Sequence, residues 1–539
     1  MAFQKSRFLK LLKVNEVNFG ILKNISQDPF NYVNGLRVTP THSKYEIDVT
    51  NPATGEALSR MAVSSSADVD VAVRSSKEAY KLWSSFCPRE RGKYLLAAAR
   101  KIRENINDIV NLEVQDTGKP IWEARADIAA CSDSIEYFGG IASTLKGLSR
   151  YMMSSDIKVF GNTAVLIIEN ACDHIPLTGG SFGMIVREPY GVCGGIGAWN
   201  YPFQVAVWKA SPALAAGNTM VFKPSQFSPL TAVTLAEILT SVGVPSGVFN
   251  VVQGESETGK AICEHPDISK ISFTGSVETG KKILQSSLDT IKKVTLELGG
   301  KSPLIVFDDC NLKNAVKGAL LGNFLTQGQV CSNCTRIYVQ KNILETFLSE
   351  LIRVTEKLKI GSPWDEDTKI GATINPNQAN KIFNYIKLAK EEGAEIVFGG
   401  KRILLPKPYS SGYYISPCII SKCTDDMRIV KEEIFGAVVC ILSFESEEEV
   451  IERANNTTFG LAGGVFTNDL FRGHRVSRSI QAGTVWINNY NVYPPELPCG
   501  GYKMSGFGKE CGEAALMEYT QQKTIMVEGG DVDCPLYVD

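Results

Sequence analysis

The stretch ISKISFTGSVETGKKILQ (Ile268–Gln285) reads as a strand that turns directly into a helix. It places Gly275 at the strand end, Ser276 at a helix N-cap and Gly280 one turn further on. Free backbone N–H groups at such a terminus attract anions, and glycine allows a phosphate to come close. The spacing is not the usual G-x-G-x-x-G, so a plain strand-to-helix turn competes with an anion site at this point. Working outward, GVCGGIGAW, TMVFKPS and GVFNVVQG are further strand-like runs from about Gly191, and helical runs separate them. After Gly300 the alternation resumes with SPLIVFDDC, a helix around NLKNAVKGALLGNF, and TRIYVQK. Alternating strands and helices predict an α/β protein with a Rossmann-like parallel sheet and a second α/β domain.

The remaining chain frames these two units. From Ser66 to about Lys146 the pattern is helical, with Val69, Val73, Ala79 and Trp83 near a 3.6-residue period. The first residues carry Lys5, Arg7, Lys10 and Lys13 before Glu16, with Phe8, Leu11 and Leu12 at helical spacing. This is compatible with an organelle-targeting segment or a basic tail, so the expected location is cytoplasmic with the mitochondrial matrix as the alternative.

Composition narrows the function. The 539 residues contain 44% hydrophobic and 21% charged residues, as a globular protein does. Lys and Arg number 56 against 58 Asp and Glu, which gives no basic excess for nucleic acid. No run of about 18 apolar residues predicts a membrane span. The 14 cysteines are dispersed, which fits a reducing compartment and free thiols. FLTQGQVCSNCTR (Phe324–Arg336) holds one C-x-x-C pair with no nearby histidine or second pair, so no metal site is expected. A nucleophilic cysteine needs a lowered pKa or a base, and the four histidines lie outside motif-like settings. Glu297, in VTLELGGK between apolar neighbours, is the better candidate base, because burial raises a carboxyl pKa toward the range useful for proton transfer. Lys223 in VFKPSQ sits at a strand's C-terminal end, where open α/β sheets bind ligands.

VTLELGGKSPLIVF, followed 34 residues after its glutamate by GQVC, resembles the two signature motifs of the aldehyde dehydrogenase superfamily. GAWNYPF, FKPS, FTGSVETG, KEEIFG and PCGGYKMSGFGKE resemble its other blocks in family order, from about Asn31 to Val532. ANNTTFGLAGGVFT and INNYNVYPPELP carry a finer similarity to its betaine-aldehyde branch. The resemblance implies a Cys331 nucleophile, an Asn200 amide that donates to the oxyanion, and a Glu297 base that activates water. It also implies NAD as cofactor, with Lys223, Ser225 and Gln226 at the adenosine ribose. Gly275, Ser276 and Gly280 fall at the pyrophosphate, and Glu433 and Phe435 at the nicotinamide ribose and ring. Gln226 stands where many NAD-preferring relatives carry Glu, which weakens the argument against NADP.

Tyr201, Trp208, Tyr490 and Tyr493 map to the substrate pocket, and aromatic ring faces suit a quaternary ammonium. The expected substrate is therefore a small cationic aldehyde. The implied organisation is an N-terminal extension (1–28), a cofactor domain (29–297, rejoined by 501–515) and a catalytic domain (298–500). A β element from 160–188 and 516–535 would join subunits into a homo-oligomer, a tetramer or dimer. Cys499 replaces the usual aromatic in PCGGYK, and Ala437 replaces the usual Pro after IFG. About twenty extra residues lie in LKGLSRYMMSSDIKVFGNTAVLIIENACDH (145–174).

Overall fold

The computed structural model describes residues 30–41, 43, 45–144 and 173–537. The basic N-terminal segment and nearly all of the extra segment lie outside these residues.

The strand–helix turn that opens the sequence reading forms as expected. Ile268–Thr274 is a strand, Ser276 caps the helix Val277–Ser287 by accepting from the Thr279 N–H at 3.3 Å, and Ile283 faces the core. Five parallel strands make the middle of an eight-stranded sheet, in the order Phe249–Val251, Thr219–Lys223, Val192–Ile196, Ile268–Thr274 and Lys293–Glu297. The chain first steps outward from Val192–Ile196 on one side, then returns to begin on its other side. Such a reversal leaves a crevice beyond the C-terminal ends of Val192–Ile196 and Ile268–Thr274. The loops that follow those strands carry Asn200 and Gly275–Ser276.

The helical N-terminal region resolves into Ser66–Trp83, Pro88–Glu104, Ile106–Thr117 and Ile121–Ile141. A reciprocal box between Ser65 and Asp68 starts the first of them, and Val69, Val73, Ala79 and Trp83 are all buried. The second sheet has seven strands, in the order Glu395–Gly399, Cys418–Ser421, Val438–Phe444, Arg336–Gln340, Pro303–Val306, Ala462–Phe466 and Thr484–Ile487. All neighbours are parallel except the first pair. A separate three-stranded antiparallel sheet joins Thr520–Val527 to Phe182–Pro189 and Asp173–Pro176. Its strands fall where the β oligomerisation element was expected.

The two large sheets meet end to end. Glu297 closes the fifth parallel strand of the first sheet, and Pro303 opens a strand of the second six residues later. Late in the chain the short strand Gly506–Phe507 pairs antiparallel with Leu296 and Glu297 of the first sheet. Leu298 N–H donates to the Ser505 carbonyl at 3.0 Å, and Ser505 Oγ donates to the Gly299 carbonyl at 2.7 Å. Gly506 has φ +113°, and a Cβ there would lie 1.9 Å from the Leu296 carbonyl oxygen. Gly506→Ala is therefore expected to lower unfolding stability by more than about 2 kcal/mol, because neither backbone can yield. A chemical denaturation midpoint equal to the parent's would contradict this close packing.

Candidate active site

A cavity of about 550 Å³ runs from the crevice of the first sheet to the joint between the sheets. Cys331, Glu297 and Asn200 all line it, as do Lys223, Ser225, Gln226, Gly275, Ser276, Glu433 and Phe435. The sulfur and the candidate base thus share one space, as the catalytic reading requires.

Cys331 stands on a loop with an unusual backbone. Thr326, Gln327 and Gly328 follow one another with φ of +47°, +55° and +74°. Side chains disfavour this left-handed region, so outside contacts must impose it. Thr326 Oγ1 bonds to Glu123 and lies 2.8 Å from the Tyr201 hydroxyl. A Cβ on Gly328 would fall 2.1 Å from the Gly436 carbonyl carbon, so this turn closes directly on the segment that carries Glu433 and Phe435. Beyond the nucleophile, the Tyr490 hydroxyl donates to the Ser332 carbonyl at 2.8 Å.

The Asn200 side-chain amide donates to the Gln329 carbonyl at 2.8 Å. That bond uses one N–H and orients the amide, leaving the other N–H for an oxyanion formed at Cys331. Burial pushes the Cys331 thiol up to about 12; the Glu433 and Glu297 carboxylates add to the shift, and the Cys331 and Ser332 backbone N–H groups oppose it. Burial also raises the Glu297 carboxyl well above its ordinary range, with Glu510 adding to this and Lys209 opposing it. Glu297 Oε1 is buried and has no hydrogen-bond partner among the described residues, so one acceptor of the candidate base is unsatisfied.

Lys209 and Glu510 were not singled out in the sequence. They form a buried ion pair, which Ser272 completes by donating to Glu510 at 3.2 Å and accepting from Lys209 at 3.0 Å. The visible signal was a lysine inside the apolar helix Pro202–Ala215, a position that burial forces to find a carboxylate.

The cofactor end fits a dinucleotide. Glu433 Oε1 accepts from the Gly300 N–H at 3.1 Å, and the Glu433 carboxyl group lies so close to Gly299 that a Cβ there would be 2.3 Å from Oε2. Phe435, held at φ +62°, meets Trp199 edge to face at 5.1 Å. Lys223 is buried and donates to the Pro224 and Gly254 carbonyls, each at 2.8 Å; burial lowers its ammonium to about 8, and Glu255 opposes this. Gln226 Nε2 donates to Glu255 Oε1 at 3.1 Å. Glu255 thus supplies the carboxylate that position 226 lacks, a compensation hidden by 29 residues of sequence separation. Gly280 does not line the cavity. Its missing side chain admits Leu298, whose Cδ2 would lie 2.8 Å from a Cβ, so its role is helix-to-strand packing.

The four aromatic candidates separate. Tyr490 is fully buried in the second domain's core between Gly322 and Gly464, and so braces the nucleophile loop rather than a pocket wall. One face of the Tyr201 ring is occupied by the Lys119 ammonium, 4.0 Å from the centroid. Trp208 and Tyr493 are half-buried and meet at 6.2 Å, with Trp486 against Tyr493 at 5.1 Å. None of the four rings lines the cavity that holds Cys331; Tyr201 is tied to the Cys331 loop through its hydroxyl at Thr326 Oγ1. Cys334 is turned into the core, where it accepts from Asn323 Nδ2 at 3.3 Å, so it is not poised to pair with Cys331. Among the described residues, no group of three or more His, Cys, Asp or Glu side chains can hold a metal ion.

Residues 38–525 match the aldehyde dehydrogenase family. The chain belongs to the aldehyde dehydrogenase family. It is 51% identical over 510 residues to human 4-trimethylaminobutyraldehyde dehydrogenase, covering 94% of this chain and 98% of that protein. It is 50% identical over 526 residues to the zebrafish (Danio rerio) 4-trimethylaminobutyraldehyde dehydrogenase A, covering 97% and 98%. The solved betaine aldehyde dehydrogenase of Staphylococcus aureus in complex with NAD+ superposes with a TM-score of 0.87 at 36% identity, covering 96% of this chain and 98% of that one.

The raised Cys331 pKa makes a direct prediction for the cofactor-free aldehyde dehydrogenase. Thiolate, the reactive form, is scarce below the thiol pKa and grows tenfold per pH unit. Alkylation of Cys331 by iodoacetamide, followed by peptide mass spectrometry, should therefore keep accelerating through pH 9. A plateau below pH 8 would refute the burial argument.

Proposed function

We propose that this aldehyde dehydrogenase oxidises a trimethylammonio-aldehyde or a related aminoaldehyde to the carboxylic acid, with NAD and water as co-reactants. The observation that carries the reading is the placement of Cys331, Asn200 and Glu297 on one cavity whose other end fits a dinucleotide.

The residues divide the work as follows. Cys331 sulfur attacks the aldehyde carbon, and the carbonyl oxygen becomes an oxyanion that accepts from the free Asn200 N–H and the Cys331 backbone N–H. Losing one such donor costs about 3–4 kcal/mol of barrier. NAD, when bound, supplies the acceptor for the hydride that leaves the former aldehyde carbon. Glu433 and Phe435 hold its nicotinamide end. The resulting thioester on Cys331 is attacked by a water that gives its proton to Glu297, and the acid departs with the thiol restored. Burial that raises the Glu297 carboxyl is what makes it a useful proton acceptor. The buried Lys209–Glu510 pair tunes it electrostatically from behind.

NAD is favoured over NADP because Glu255, bonded to Gln226 and facing Lys223, sets a carboxylate where a 2′-phosphate would arrive. The relatives' names and the half-buried rings of Trp208 and Tyr493 support a cationic substrate, since ring faces attract quaternary ammonium groups. The three-stranded sheet supports a homo-oligomer: among the described residues no strand pairs with the outer edge of Thr520–Val527, and Met526 is 73% exposed.

An NADH-absorbance assay over an aldehyde panel tests the substrate. The trimethylammonio-aldehyde should exceed a neutral aliphatic aldehyde of equal length by about tenfold or more in kcat/KM, and Cys331→Ser should abolish turnover. Equal values for the two aldehydes would remove the cationic selectivity. Glu297→Gln should retain a first burst of NADH but lose about 100-fold or more in steady-state rate, because only thioester hydrolysis needs the base. In the parent, the hydrolytic rate should rise with pH as the carboxyl deprotonates. Coenzyme A restoring full turnover to Glu297→Gln would show that the thioester accumulates; absence of any burst would place Glu297 elsewhere in the reaction. Glu255→Gln should lower KM for NADP and leave kcat with NAD unchanged.

A further inference from the structure

Beyond the catalytic cysteine, two thiols meet at the base of the loop that carries Glu433 and Phe435. Ile420 pairs with Cys440 in the parallel ladder between the strands Cys418–Ser421 and Val438–Phe444. Lys422 then turns back at φ +53° and returns Cys423 over the strand, with its sulfur 3.6 Å from the Ile420 carbonyl oxygen. The turn thus sets Cys423 beside the ladder position that Cys440 occupies, and the Cys440 S–H donates to the Ile429 carbonyl at 3.7 Å. Cys440 is fully buried, whereas Cys423 is half-buried and open to small solutes.

A cation is built in beside the pair. Lys301 is 1% exposed, and its ammonium has no hydrogen-bond partner among the described residues. Burial lowers it to about 8, while Cys440 and then Glu433 hold it charged. On the other side, Cys423 lowers the Cys440 thiol against burial, with Lys301 and Arg336 assisting. A buried ammonium without an acceptor favours the charged form of acidic groups near it, and Cys440 and Glu433 are the groups this site offers.

We propose that Cys423 and Cys440 are a redox-modification site, converted by a peroxide to a disulfide that weakens cofactor binding. The Cys440 thiolate attacks one peroxide oxygen, breaking the O–O bond and releasing hydroxide, and becomes a sulfenic acid. Cys423 sulfur then attacks that sulfur; its proton and the departing hydroxyl leave as water. Overall two thiols lose two electrons and two protons, and hydrogen peroxide becomes two waters.

Two consequences reach the cofactor. The disulfide closes the stretch from Cys423 to Cys440 into a ring with Glu433 and Phe435 in its middle. Oxidation also removes the negative charge that Lys301 shares between Cys440 and Glu433. The ammonium is then left with the Glu433 carboxylate alone and draws it away from the nicotinamide ribose.

The test uses the full chain with Cys331→Ser, so that oxidation of the nucleophile plays no part, and reads NAD binding by fluorescence quenching. Peroxide should produce a Cys423–Cys440 cross-linked peptide lighter by two hydrogens, read by mass spectrometry without reduction, and raise the NAD Kd about fivefold or more. Dithiothreitol should reverse both. Adding Cys423→Ser should leave the reduced Kd unchanged and abolish the cross-link and the peroxide effect on Kd; Cys440→Ser, which also removes the charge beside Lys301, should start from a raised Kd and show no further peroxide effect. Absence of the cross-link, a cross-link that leaves Kd unchanged, or an undiminished Kd shift in either serine variant would each overturn the proposal.

Discussion

The site depends on how closely two chain segments approach at the glycine pair Gly299–Gly300. A side chain on Gly299 would enter the Glu433 carboxylate, and one on Gly300 would lie 2.5 Å from the Cys331 carbonyl oxygen. With neither Cβ present, the Gly300 N–H reaches Glu433, and the nucleophile loop packs directly on the joint between the sheets. One strand end of the first sheet, one loop of the second and one cofactor-holding segment are thus held around a single cavity. Hydride transfer and hydrolysis both need such a dry, shared space, where a fixed dipole acts more strongly than in water.

Burial then assigns chemical character. The Cys331 thiol and the Glu297 carboxyl are both pushed toward their neutral forms, chiefly by loss of water. For Glu297 this is useful, because a carboxylate that holds a proton more tightly is a stronger base. For Cys331 it means that the thiol is the favoured form and that attack requires its charge to be stabilised locally. Polar groups not in reach of the substrate set these balances. The Lys209–Glu510 pair acts on Glu297, and the Thr326 bonds to Glu123 and Tyr201 keep three successive residues in the left-handed region. Removing one member of such a buried pair leaves an uncompensated charge, a loss of about 3–5 kcal/mol.

Much of the architecture was readable before any coordinates. The alternation of apolar runs with helical periods placed the parallel strands and the long N-terminal helices, and the strand–turn–helix at Ile268–Gln285 formed as its residues imply. Cys331, Glu297 and Asn200 stood out as candidates because their neighbouring residues form contiguous motifs, and the structure brings all three onto one cavity. Tyr490 was misread because an aromatic next to a motif looks the same whether it lines a pocket or fills a core. Gly280 was misread because a glycine one turn into a helix can serve a phosphate or a neighbouring leucine, and only Leu298 decides. Glu255, Lys209 and Glu510 escaped notice because each acts through a partner far away in the chain.

Local order in the chain was enough to specify the elements, since hydrophobic period and turn chemistry are properties of adjacent residues. It was also enough to mark Cys331 and Glu297 as candidate nucleophile and base, because each sits in a contiguous motif that resembles a family signature. Tertiary structure alone decided which carboxylate faces Lys223, which ring faces are free, and that Cys423 and Cys440 meet beside Lys301. Charge interaction and desolvation depend on distance through space, and folding brings together groups that the sequence holds tens or hundreds of residues apart.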